Sequence, residues 1–258
     1  MGTVSGLSIA AMAVSLAVCV GLPVGLCIYM KRVGKASLKS FFLGCGIFVV
    51  FALVLEQILH LIVRAVSGTF FSEHLIAYAV YGGLAAGLFE ETGRYVAMKF
   101  FMKGHLSRQE AIMYGVGHGG IEAILLGGMA CFSNLLTSIM INSGSLEKLL
   151  PTGDAGVQAV LSQLTGLPAW QFLLAGMERC SAVILHIVLS YLVYLGVKNH
   201  KIQFYILAVM VHFLVDAGVV LAANYIPVLA LELGLLAVVL VMAAFVYVSY
   251  NRERPFSR

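Results

Sequence analysis

Residues 202–224 read IQFYILAVMVHFLVDAGVVLAAN. The run contains no Lys or Arg, and a helix needs only about 20 predominantly apolar residues to cross a bilayer. It reads as a transmembrane span whose anomaly is the pair His212 and Asp216 near its middle. Working outward, comparable runs occupy 7–30, 41–65, 74–102, 110–140, 169–197 and 228–250. Alternating segments of about ten residues, the mark of an outer-membrane barrel, are absent. The expected fold is all-α: one polytopic integral membrane domain over residues 1–258 with about seven transmembrane helices.

Composition says the same. Of 258 residues, 61% are hydrophobic and 11% charged, with a net charge of +4. A soluble domain carries roughly 25% charged residues, so this chain cannot cover a water-facing surface. Its basic residues are scattered rather than striped, which excludes a nucleic-acid partner. The five cysteines, Cys19, Cys27, Cys45, Cys131 and Cys180, sit singly in apolar runs with no CxxC pairing, and read as unpaired thiols. No internal repeat or low-complexity segment is present.

The Lys and Arg residues orient the chain. Lys31, Arg32, Lys35 and Lys39 lie in the first loop, and Lys99, Lys103 and Arg108 surround the second cytoplasmic connection. Lys198 and Lys201 follow the fifth run, and Arg252, Arg254 and Arg258 form the tail. Lys148 stands alone on the opposite side. Positive loops remain in the cytoplasm, so the N-terminus is expected outside and the C-terminus cytoplasmic, in a bacterial cytoplasmic membrane. The first run lacks a basic leader and is followed at once by Lys31, which reads as a retained anchor rather than a cleaved signal. The longest exterior loop, 141–168, contains a mildly amphipathic stretch, 155–164. Trp170 marks the return to the membrane.

The remaining charges lie within spans: Glu56, His60 and Arg64; Glu90, Glu91 and Arg94; His118 and Glu122; Glu178, Arg179 and His186; His212 and Asp216; Glu232. Each buried charge costs about 2.5–3.5 kcal/mol even on lenient insertion scales, so these groups must face one another or water. Counting residues in from the basic anchors puts Glu90, Glu91, His118, Glu122, His186, His212 and Asp216 in one central layer. Glu56, Glu178, Arg179 and Glu232 lie further out. Arg94 is three and four residues from the two glutamates and can reach either. His118–Glu122 and His212–Asp216 have the i,i+4 spacing with which an acid orients an imidazole. The run Gly115-Val-Gly-His-Gly-Gly120 clears space around His118. Glu56-His60-Arg64 reads as a polar stripe between helices. Glu178-Arg179 reads either as support for the site or as a structural pair with Arg64. His186 is either a core histidine or part of the site, and Glu232 is expected to be solvated or capping.

Three segments, Phe89-Glu90-Glu91-Thr-Gly-Arg94, Tyr114-Gly-Val-Gly-His118 and His212-Phe-Leu-Val-Asp216, together resemble the ordered motifs of the glutamic intramembrane proteases. That superfamily includes the type II CAAX prenyl proteases, the CPBP proteins and PrsW. Tyr114 stands in place of the family's Phe, Asp216 takes the final position, and the spacing from the glutamates to Arg94 is one residue shorter than in the prenyl proteases. His118-Gly-Gly-Ile-Glu122 and the Glu178-Arg179…His186 element resemble the YhfC branch, and the resemblance runs from the first span to the last. It implies a peptidase in which Glu90 or Glu91 activates water, His118 helps hold that water, and His212 with Asp216 stabilises the oxyanion. Arg94, Glu122, His186 and Glu178 would support them. A desolvated carboxylate beside a second one suits general-base work.

The implied substrate is a membrane-embedded or membrane-adjacent peptide or protein, and no cofactor is expected. Zinc is the alternative, held by His118, His186 and His212; the absence of HExxH and the nearby Arg94 speak against it. A proton-coupled transporter and a non-catalytic membrane scaffold are the readings from other classes.

Overall fold

The computed structural model describes residues 2–146 and 154–252, and the described residues are helical with no strand. The helices are α1 (Gly6–Arg32), α2 (Leu38–Ser67), α3 (Leu75–Val96, continued by a π-helical turn at Ala97–Phe101) and α4 (Arg108–Asn142). They are followed by α5 (Ala155–Gly166), α6 (Ala169–Lys198), α7 (Ile202–Ala222) and α8 (Val228–Arg252). Serine or aspartate side chains close the exposed amides at several N-termini, with Ser5, Ser107 and Asp154 accepting from the first turns of α1, α4 and α5. Helices α1, α2, α4, α6, α7 and α8 are each long and apolar enough to cross a membrane. Helix α3 has the length but not the apolarity, because Glu90, Glu91, Arg94 and its glycines dilute the run. It nevertheless lies antiparallel along α7, with Gly83 against Phe213 and Ala217 and the Thr92 hydroxyl bonded to Tyr205 at 2.8 Å.

Helix α6 is the central post. Neighbours enclose 67% of its most apolar stretch, against 28% or less for the other membrane-length helices. α1, α3, α4, α7 and α8 all pack on it. Glycine lets the outer helices approach each other closely where side chains would hold them apart. A Cβ on Gly44 of α2 would collide with the Tyr114 carbonyl of α4, and one on Gly117 of α4 with the Phe41 carbonyl of α2. Two of the continuous helices contain π-helical stretches, at Val49–Glu56 in α2 and Ala123–Gly128 in α4, and α3 ends in one. All three adjoin the polar residues singled out above, as π-turns frequently do at functional sites.

The basic residues collect at one end of the bundle. Lys31 and Arg32 close α1, Lys198 closes α6, Arg252 closes α8, and Arg108 opens α4. Arg108 donates to the Tyr250 carbonyl at 2.5 Å and stacks on that ring, which ties α4 to α8 there. Lys148, Arg254 and Arg258 lie outside the described residues, as does the segment 147–153 of the long loop. The amphipathic stretch forms α5, whose Leu161 and Leu164 join a small core with Met12 and Phe172. All five cysteines are free.

Gly44 and Gly46 provide a matched test on one helix, since nothing lies within 4 Å of a Cβ at Gly46. Gly44→Ala is expected to destabilise the detergent-solubilised protein by the overpacking cost of about 1–3 kcal/mol. Gly46→Ala is expected to leave the thermal midpoint unchanged or slightly raised. Equal midpoints for the two variants would refute the close α2–α4 contact.

Candidate functional site

Arg94 organises the interior. Its side chain is fully enclosed, and Nη1 lies 3.2 Å from Glu91 Oε1, one turn back on α3. Nη2 donates to His186 Nδ1 at 3.0 Å and Nη1 to the His186 carbonyl at 3.4 Å, so α3 is fastened to α6. Glu91 Oε1 also accepts from His212 Nδ1 at 2.9 Å, which fastens α7. Of the two carboxylates that Arg94 can reach, it takes Glu91.

Glu90 faces the other way. His118 Nε2 donates to Glu90 Oε2 at 2.8 Å, and His186 Nδ1 lies 4.0 Å from the same oxygen. His118 packs edge-on to Phe48 at 5.3 Å between ring centres, and its Nδ1 is buried without a hydrogen-bond partner among the described residues. The proton on His186 is fixed by its neighbours: Nδ1 accepts from Arg94, so Nε2 carries the proton, 2.5 Å from Glu122 Oε2. Arg179 Nη1 holds the second Glu122 oxygen at 2.7 Å, and its Nη2 donates to Glu178. His212 completes the set, with Asp216 Oδ2 3.4 Å from its Nε2.

Four expectations change. Glu122 does not orient His118: a buried guanidinium needs a carboxylate more than a neutral imidazole does, so Glu122 turns to Arg179 and His186 while His118 pairs with Glu90. Glu178 and Arg179 pair with each other and, through Arg179, with Glu122, rather than reaching Arg64, and the part Arg179 plays at the site is what sequence spacing missed. Glu232 is buried rather than solvated. The zinc trio also differs, because Glu91 and Asp216 engage His212. The ligand atoms that converge, all within 4.8 Å of one another, belong to Glu90, His118 and His186. The Glu56–His60 pair does bridge helices, through a 2.6 Å bond between His60 and the Tyr81 hydroxyl.

A cavity of about 310 Å³ opens between α3, α6 and α7, and Glu90, Glu122, Arg179, His186, His212 and Asp216 lie on its wall. Glu91, Arg94 and His118 do not; they form the layer behind it. An apolar cleft of about 360 Å³ between α7 and α8 adjoins the cavity and shares Val215, Val219 and Leu235 with it. Gly218 and Gly234 line this cleft, and neither has a neighbouring atom where a Cβ would stand.

Two imidazoles and a carboxylate are donor types that hold zinc. His186 shows the supporting arrangement expected of a ligating histidine, with its second nitrogen bonded to a carboxylate. The donor set therefore fits a divalent metal, and a metal there would compete with Arg94 for the Nδ1 lone pair.

The two glutamates separate by stability. Glu91→Gln leaves the enclosed Arg94 without its carboxylate and is expected to cost about 3–5 kcal/mol. Glu90→Gln replaces one hydrogen bond and is expected to cost about 0.5–1.5 kcal/mol. Thermal unfolding in detergent ranks the two, and equal losses would contradict the division of roles.

A family model described as "YhfC intramembrane metalloprotease" matches residues 18–246. The chain is 41% identical over 215 residues to a Bacillus subtilis (strain 168) protein named "Uncharacterized membrane protein YhfC", covering 81% of this chain and 83% of that one. No solved structure matches. The chain is thus a multi-pass protein of a bacterial cell membrane. With residues 18–246 matched by that model and 81% of its length aligned to the Bacillus protein, the chain belongs to the YhfC family.

Proposed function

We propose that this chain hydrolyses peptide bonds in membrane-embedded substrates at the cavity between α3, α6 and α7, with Glu90 engaging the attacking water. The observation that carries this reading is the split between the two glutamates. Glu90 is on the cavity wall and bonded only to an imidazole, whereas Glu91 is held by Arg94 and His212. As general base, Glu90 would take a proton from water while His118, at 2.8 Å, fixes the carboxylate. His212, anchored through Nδ1 by Glu91, would turn Nε2 towards the developing oxyanion, with Asp216 tuning it. The apolar α7–α8 cleft supports entry of a hydrophobic segment from the lipid. The motif order supports kinship with the CPBP and PrsW proteins, and the single basic end supports a cytoplasmic C-terminus.

The convergent donors favour a second version of the same site. Glu90, His118 and His186 would hold a divalent metal, zinc by donor type, in keeping with the family's description. When bound, such an ion supplies a more acidic water and polarises the scissile carbonyl. In this version Glu90 is a ligand rather than the base. Glu122 keeps His186 in the correct tautomer, Arg179 holds Glu122, and His212 remains the oxyanion donor.

Comparison of new protein N-termini in membranes from cells making the wild type or Glu90→Gln tests the activity. The wild type is expected to generate fragments that the variant loses by about 10²–10⁴-fold, the size of a general-base contribution. Identical fragment sets, with both proteins folded, would leave a scaffold or carrier in place of a peptidase. Metal analysis of the purified full chain divides the two versions. Stoichiometric zinc that disappears in His118→Ala and His186→Ala assigns Glu90 as a ligand. Metal-free protein that cleaves in the presence of chelator assigns it as the base.

A further inference from the structure

A second cavity, about 470 Å³, lies apart from the polar one. It is a groove at the basic end of the bundle, walled by α1 and α8, floored by α6 and closed by the first turn of α4. Tyr29 of α1 and Val33 just beyond its end line one side, Ala243 and Tyr247 of α8 the other, with Ile184 and Ile187 of α6 beneath. From Ala243 to Tyr250 the α8 wall rises seven residues, about 10 Å at 1.5 Å per residue, which reaches well into one leaflet of the hydrocarbon. The lining changes along that rise. It is aliphatic at the inner end and ends among Tyr29, Tyr247, Tyr250 and Gln109, the amphipathic side chains that sit at headgroup level.

The exposed charge at the outer end, among the described residues, is basic. Lys31 and Arg32 close α1, Lys35 follows Gly34 in the adjoining turn, and all three are exposed. None of them has a carboxylate partner among the described residues. Arg108 opens α4 beside the groove and is fixed on Tyr250. The acidic side chain in that first turn, Glu110, is turned away to α2, where it accepts from the Ser37 amide at 2.9 Å and from the Ser40 hydroxyl. An apolar trough that ends in tyrosines and unpaired cations matches one molecule, with a hydrocarbon chain and a negative head.

We propose that the α1–α8 groove is a binding site for an anionic phospholipid, with an acyl chain against Ile184, Ile187 and Ala243 and the phosphate among Lys31, Arg32 and Lys35. The site is separate from the polar cavity, which opens between α3, α6 and α7, and does not depend on the peptidase reading.

Native mass spectrometry of the full-length protein in detergent, titrated with phosphatidylglycerol or phosphatidylcholine, tests this. The wild type is expected to bind phosphatidylglycerol about tenfold more tightly, the effect of one to two basic residues near an anionic head. Lys31→Gln/Arg32→Gln/Lys35→Gln, all on the surface and with Lys39 left in place as a topology anchor, should erase that preference while phosphatidylcholine binding stays unchanged. Ala243→Phe should fill the trough and weaken both lipids, with helical content by circular dichroism as the check on folding. Equal affinity of the wild type for the two lipids, or an unchanged preference in the triple variant, would overturn the proposal.

Discussion

A guanidinium sealed inside a membrane protein admits few arrangements. Removing its partner costs about 3–5 kcal/mol, because the charge is left without either water or a counter-ion. Arg94 is in that position, and it draws in Glu91 from its own helix, then the ring nitrogen and carbonyl of His186 on α6. Through Glu91 the constraint passes to His212 on α7. Three helices are thereby held in rotation as well as in depth. The consequence for chemistry is a division of labour between adjacent residues. One glutamate is used to satisfy the arginine, and the helix turns the other to the cavity.

A second guanidinium repeats the arrangement on the far side of the site. Arg179 holds Glu122, and Glu122 holds His186, so the imidazole is gripped from both nitrogens by groups that are themselves fixed. Rigid placement of this sort is what a hydrolytic site needs from its supporting layer, since catalysis depends on donors aimed before the charge develops. It also explains why the polar residues are so many for a chain with so little charge. Most are not reagents; they neutralise or orient those that are.

Much of this was legible in the residue order, for identifiable reasons. Helix rise is constant, so counting in from Lys31, Lys99 or Lys198 converts position into depth, and the shared layer of Glu90, His118, His186 and His212 follows. Apolar runs located the helices to within about three residues, the differences arising where caps such as Ser37 extend a helix into polar sequence. Rotation is not encoded in this way. Lipid-facing and protein-facing aliphatic side chains look alike in sequence, so the central place of α6 was hidden. The same blindness led the i,i+4 spacing to pair His118 with Glu122, when α3 and α6 supply stronger partners to each. It also led three histidines to be grouped as ligands where Glu90 stands in for His212.

The polarity of α3 also bears on how the chain is made. A helix carrying two carboxylates and a guanidinium gains little by partitioning into lipid alone, unlike the six described helices that are long and apolar enough to cross a membrane. Its hydrogen-bonding and close-packing partners, His186 and the Val209–Ala217 face of α7, are synthesised roughly a hundred residues later. Until that C-terminal half emerges, nascent α3 lacks the His186 and His212 bonds and the surface against which Gly83 and Gly87 pack. In biogenesis the site is a lock closed last, because His212 and the α7 face that packs on α3 are among the last of its parts to be made.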